Sequence, residues 1–197
     1  MTWPAADLLD LLLAGLDLAE AVVTSVDDGQ RHSSTPCPEL DVEQLVGHVV
    51  AGMLWFAGLP SGSTIGTPSG SDPELAGPLG RAFSDAARAV RRSWTVPVLE
   101  RSFAMPWGAA AGEELASFMV VEVIGHAWDL ATGSGQPRYP VDDLASVALD
   151  VARELDQQTL RSPGMLGPPV PIDPSAPAID RFVAFLGRDP HWRPIAR

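Results

Sequence analysis

Apolar positions along this chain recur at three- and four-residue spacing, the period of helices that bury one face. Leu8, Leu9, Leu12, Leu13, Leu16, Ala19, Val22 and Val23 form the first stripe. With Pro4 tolerated at a helix start and Asp27-Asp28-Gly29 closing the run, the pattern predicts a helix over 5–26. Asp41 followed by Gln44 reads as a capping box for a second helix, whose buried stripe is Val42, Leu45, Val46, Val49, Val50 and Met53. A third helix is expected over 79–94, with Ala82, Phe83, Ala86, Ala87, Val90 and Trp94 inward and Arg88, Arg91 and Arg92 solvated, and Pro97 blocks its continuation. A fourth, over 113–132, is apolar nearly all round, long enough for a core helix but too short and interrupted to span a bilayer. Asp142 and Asp143 open a fifth that reaches about 158 and buries Leu144, Val147, Ala148, Val151 and Leu155. A last short helix is expected over 178–186.

The connecting stretches have their own signatures. Residues 33–40 read as an extended, proline-stiffened approach to the second helix. Residues 59–80, rich in Gly, Ser and Pro, read as a long mobile loop. Residues 98–112 read as irregular, and within Met105-Pro-Trp-Gly108 the Trp107 ring is expected to plug the core rather than wall a pocket. Residues 161–197 read as a proline-rich strap and a short helix packed on the rest. There is no internal repeat and no alternating strand pattern. The expected class is all-α, a four-helix bundle with additional C-terminal helices, as one domain over 1–197.

Composition narrows the function. Thirteen basic against 25 acidic side chains leave a net charge of −12, which repels nucleic acid and anionic lipid, so neither is an expected partner. The first twenty residues lack a basic start and are interrupted by Asp7, Asp10, Asp17 and Glu20, so they read as an amphipathic helix of a cytoplasmic protein. A single cysteine, Cys37, excludes an intrachain disulfide and fits a reducing compartment. It lies between two prolines with no basic neighbour, which suits a small buried hydrophobe better than a nucleophile. An apolar helix face leaves a homodimer open.

The chemistry concentrates in the fourth helix. Glu122 and His126 stand four apart and project from one face of an apolar element. A buried carboxylate needs a partner, so the pair is either an ion pair or two metal ligands. His48 lies on the flank of the second helix's stripe, and His32 and His191 fall in loops. Two imidazoles and one carboxylate, His48, Glu122 and His126, make a set suited to zinc or another divalent first-row ion, with one coordination position left open. Asp129, three residues past His126, either orients that imidazole or faces solvent.

The segments Thr35-Pro-Cys-Pro-Glu-Leu40, Leu45-Val-Gly-His48, Met105-Pro-Trp-Gly108, Glu122-x-x-x-His126-Ala-Trp-Asp-Leu130, Gly167-Pro-Pro-Val-Pro171 and Phe185-Leu-Gly-Arg-Asp-Pro190 occur in this order. Together they resemble the actinobacterial metal-binding family of the DinB/YfiT-like superfamily, related to the metal-binding domain of mycothiol-dependent maleylpyruvate isomerases. The resemblance implies a four-helix bundle with zinc, or alternatively nickel, on His48, Glu122 and His126. It also implies mycothiol as a cosubstrate and a small electrophile as its partner, hence a transferase or isomerase activity. The chain runs only a short way past the bundle, so maleylpyruvate isomerisation itself is not expected. The alternative from another class is a bundle that binds a metal or small ligand without turning it over.

Overall fold

The structure, a computed structural model, describes residues 3–63, 75, 77–137, 141–161 and 166–194. It is mostly helical. The long helices are α1 (Ala5–Thr24), α2 (Val42–Gly58), α3 (Leu79–Ser93) and α5 (Gly112–Gly133), with a short α4 (Val96–Leu99) between the last two. After them come α6 (Asp142–Glu154), α7 (Gln157–Leu160) and α8 (Ala178–Phe185). The expected mobile loop over 59–80 falls largely on 64–74, outside the described residues, and its described start is a 3-10 turn over Leu59–Ser61.

Four helices close on one another around the core. α1 packs along α5 and α3, and α2 packs along α3 and α5. The approach of α1 to α5 depends on Gly15, where an added Cβ would stand 2.9 Å from Ile124 Cγ1. α6 and α8 then cover the outer side of α5, with α8 resting mainly on α6. α5 is therefore surrounded by protein, and this accounts for an apolar sequence with no polar face. By length and hydropathy α5 and Val42–Ser61 are each able to cross a bilayer, which corrects the expectation that the former is too short. The share of α5 buried against other elements, 78% of its most apolar window, shows where that apolarity goes.

Local rules are obeyed closely at α2. Asp41 accepts from Gln44 N at 2.9 Å while Gln44 Oε1 accepts from Asp41 N at 3.0 Å, so two otherwise orphaned donors are satisfied. All six positions of the expected stripe, from Val42 to Met53, are buried. α1 ends slightly earlier than its pattern suggests, because Thr24 and Ser25 hydroxyls donate back to the carbonyls of Glu20 and Ala21.

Five expectations are corrected. Residues 102–111 form an antiparallel hairpin, β1 (Ser102–Met105) against β2 (Gly108–Ala111), with Phe103 opposite Ala110. Each strand is four residues long and buries one of them, too short a run for alternation to register in sequence. Trp107 lies in the hairpin turn and is 63% exposed, so it plugs nothing. A tryptophan that does fill the core is Trp94, which follows α3, stacks on Phe56 at 3.8 Å between ring centroids and donates Nε1–H to Phe56 O at 2.8 Å. The predicted helix over 142–158 is broken at Leu155, where the backbone becomes extended. Asp156 then caps α7 by accepting from Gln158 and Thr159 backbone N–H groups. Its buried face is also rotated, with Ala145 and Leu149 inside and Leu144 and Val147 only half-buried. Finally, Arg91 is not simply solvated, since Nη2 joins α3 to α1 through Asp17 at 2.6 Å and Glu20 at 3.2 Å.

Candidate metal centre

The candidate ligands come from two helices that touch. α2 presents His48 one turn after the buried pair Leu45 and Val46, and α5 presents Glu122 and His126 from adjacent turns of one face. Both imidazole Nε2 atoms converge on the same oxygen, with Glu122 Oε2 3.8 Å from His48 and 3.4 Å from His126. The two rings lie 5.3 Å apart and are nearly perpendicular at 87°. Exposure is graded across the site: the His126 side chain is 8% exposed, Glu122 22% and His48 35%. The cluster is therefore anchored in the core and open on the His48 side.

The spacing fits shared ligation. All three donor atoms lie within 4.8 Å of one another. Ligands at about 2.1 Å from a tetrahedral ion stand about 3.4 Å apart, close to the separations observed from Glu122 Oε2. A charge-assisted N–H···O bond at its best is shorter, about 2.7–2.9 Å, so these ion pairs are looser than an optimal one. The donors also match in kind, since imidazole and carboxylate suit zinc and accommodate nickel.

Behind His126 stands Asp129, fully buried, whose Oδ2 lies 3.0 Å from His126 Nδ1. Of the two expectations for Asp129, the structure chooses the orienting one. With Nδ1–H donating to this carboxylate, Nε2 is left to face Glu122 and, once it gives up its proton, an incoming ion. Asp129 is itself held by Arg188, whose Nη2 donates to Oδ2 at 3.1 Å. An acid in the last turns of a helix opposes the helix dipole, and the guanidinium offsets that cost.

Electrostatics follow from this chain of charges. Burial works against the ionised form of Glu122, but hydrogen bonding and charge from His126 and His48 outweigh it and hold the carboxyl well below its usual range. Burial likewise opposes protonation of His126, and the bonds to Asp129 and Glu122 outweigh it, raising the imidazole to about 9. Asp129 is held down against its own burial, chiefly by the charge of Arg188. Without an ion the site is thus a buried ion-pair network.

Cys37 is half-buried against the core and lies within electrostatic reach of this network. Burial, with smaller contributions from Asp129 and Glu122 against the opposing Arg188, pushes its thiol up to about 11. Thr35 shapes the loop that holds it, donating to Leu40 O at 2.7 Å and accepting from Cys37 N at 3.2 Å. His32 is engaged elsewhere, 3.2 Å from Asp41. Sequence spacing alone does not find Arg188, because nothing local in Gly187-Arg188-Asp189 marks a partner on α5; the closing Phe185–Pro190 motif is the signal that lies over it.

Over 174 residues the chain is 30% identical to the uncharacterized protein Rv0738 of Mycobacterium tuberculosis strain ATCC 25618 / H37Rv. It is equally similar to the uncharacterized protein MT0763 of strain CDC 1551 / Oshkosh, and each alignment spans 87% of this chain and 92% of the relative. No protein-family model and no solved structure matches it. At this identity and coverage, the chain belongs to the family of these two mycobacterial proteins.

Proposed function

We propose that this protein is a divalent-metal-binding bundle of the DinB/YfiT-like kind that activates a small thiol, mycothiol by resemblance, for transfer to or isomerisation of a small electrophile. The observation that supports it is the convergence of His48 Nε2 and His126 Nε2 on Glu122 Oε2 at ligand-to-ligand spacing, with His126 oriented from behind by Asp129. A zinc or nickel ion there would act as a Lewis acid that makes the thiolate of a small thiol available near neutral pH. The chain's own residues prepare for an anion. Against a dication stand two carboxylates, Glu122 and Asp129, and Arg188 adds one positive charge, so the assembled centre retains a single positive charge that favours thiolate over neutral thiol. The half-exposed His48 side leaves room for the thiol to approach, while the buried His126 side keeps the ligand frame rigid.

The test begins with elemental analysis of protein purified without chelator, beside His48→Ala and Glu122→Ala. About one equivalent of zinc or nickel in the parent, lost in both variants, supports the site. No metal and no uptake on addition would return Glu122 and His126 to a plain ion pair. Metal-loaded protein is then mixed with mycothiol and a panel of electrophiles. Thiol consumption that His48→Ala lacks supports the enzyme, whereas metal binding without consumption favours the non-catalytic binder.

A further inference from the structure

The chain's C-terminal segment reaches the centre through one side chain. Arg188 follows α8 in a turn where its N–H donates to Val183 O at 2.9 Å and Gly187 takes a φ of +87°. A side chain at Gly187 would be strained by that φ and crowded. A Cβ on Gly187 would stand 3.0 Å from the backbone of Gly167, and one on Gly125, beside His126, would stand 2.8 Å from Leu186 Cδ1. From this turn the guanidinium enters the protein, 12% exposed, and offers Nη2 and Nε to Asp129 at 3.1–3.4 Å. Its Nη1 donates back to Leu186 O at 3.0 Å.

The turn is fastened from the strap side too. Val170 N donates to Ala184 O at 2.8 Å. Arg161 donates to Gly167 O and Phe185 O, and its guanidinium lies 4.9 Å over the Phe185 ring. Arg188 therefore joins strap and α8 to Asp129, and Asp129 joins them to His126.

We infer that Arg188 is a positioning residue of the metal centre, so that metal binding and docking of the C-terminal segment are coupled. This rests on the metal-binding reading above. The physical reason is that Asp129 orients His126 only while its carboxylate is fixed and its charge compensated, and the groups seen to do both lie on the C-terminal turn. Coupling of this kind is reciprocal: what tightens the turn tightens the ion, and the ion protects the turn.

The experiment measures zinc affinity by competition with a chromophoric chelator for the parent, Arg188→Gln, Arg188→Lys, Asp129→Asn and, as a control, Arg91→Gln. In parallel, amide hydrogen exchange over 183–188 is followed in the parent with and without zinc. Arg188→Gln should weaken zinc about tenfold and Asp129→Asn by about 10–100-fold, with Arg188→Lys between parent and Gln. Arg91→Gln removes the α3–α1 bridge and should leave affinity unchanged. With cobalt in place of zinc, the visible bands should shift in Arg188→Gln and not in Arg91→Gln, a change that general loosening would not produce. Zinc should slow exchange over 183–188 in the parent. A parent that takes up neither zinc nor nickel overturns the metal-binding reading and this inference with it. A parent that binds zinc beside a folded Arg188→Gln of equal affinity overturns the inference alone. Should Arg188→Gln fail to fold, unchanged exchange over 183–188 on adding zinc to the parent overturns it.

Discussion

His48 Nε2 on α2 and Glu122 Oε2 on α5 meet at 3.8 Å, and this contact lies at the outer edge of a network that runs inward through His126 and Asp129 to Arg188. The network joins two core helices and the C-terminal turn, so its charge state is a property of the fold as well as of the site.

That makes stability depend on pH in a way that an ion reverses. His126 is raised to about 9 in the folded, ion-free protein. A raised pKa contributes stability fully present below the unfolded value near 6.5 and lost as pH climbs to about 9. Glu122 is depressed, so its contribution is present above about 4.5 and lost as acid protonates it. The ion-free protein should therefore melt highest between about pH 5 and 6.5 as far as these groups decide it. Ligation needs His126 Nε2 free of its proton, so the rise in Tm on adding zinc should grow from pH 6 to 9. Thermal melts across that range test it, and a zinc effect that stays flat or shrinks counts against the assignment.

The two tryptophans near the hairpin should behave oppositely. Trp94 is 1% exposed, stacked on Phe56 and hydrogen-bonded to its carbonyl. Trp94→Ala should cost about 3–5 kcal/mol, and Trp107→Ala, at a 63% exposed turn, within about 0.5 kcal/mol. Urea midpoints of the two variants decide, and equal losses would contradict the packing described.

Cys37 should be a sluggish thiol in the native protein. With its pKa pushed up to about 11, only about 0.1% is thiolate at pH 8, against roughly a quarter for an unperturbed cysteine. Iodoacetamide labelling at pH 8 should thus be far slower in buffer than in denaturant. Equal rates would place Cys37 in a more open setting than the one observed.

The contact of Gly15 with Ile124 predicts an overpacked variant. Gly15→Val puts a Cβ 2.9 Å from Ile124 Cγ1 and adds two methyls beyond it. The loss should be about 1–3 kcal/mol, despite the intrinsic cost of about 1 kcal/mol for glycine within a helix. Denaturant unfolding measures it, and a variant as stable as the parent would mean α1 and α5 have freedom to part.

Where a rule is local, it was readable. The cap of α2 needs only Asp41 and Gln44, and its buried stripe needs only the helical period. Where two local signals compete over a few residues, reading failed: Asp156 as a cap for α7 overrode the continuing periodicity of α6, and four-residue strands left no period to detect. Trp107 beside Pro106 and Gly108 looked like a wedge, but a hairpin turn directs it outward, and the pairing that makes the turn is not visible at the turn itself.

The sequence by itself determined the long helices α1, α2, α3 and α5, the apolar character of α5, and the shared face of Glu122 and His126, because spacing along one helix dictates direction. It also marked His48, as a polar residue on the flank of an otherwise apolar stripe. Only the tertiary structure decided that His48 faces Glu122, that Asp129 is buried rather than solvated, and that Arg188 compensates it. Those are meetings of charges far apart in the chain, and a buried carboxylate is tolerable only where the fold brings a cation to it.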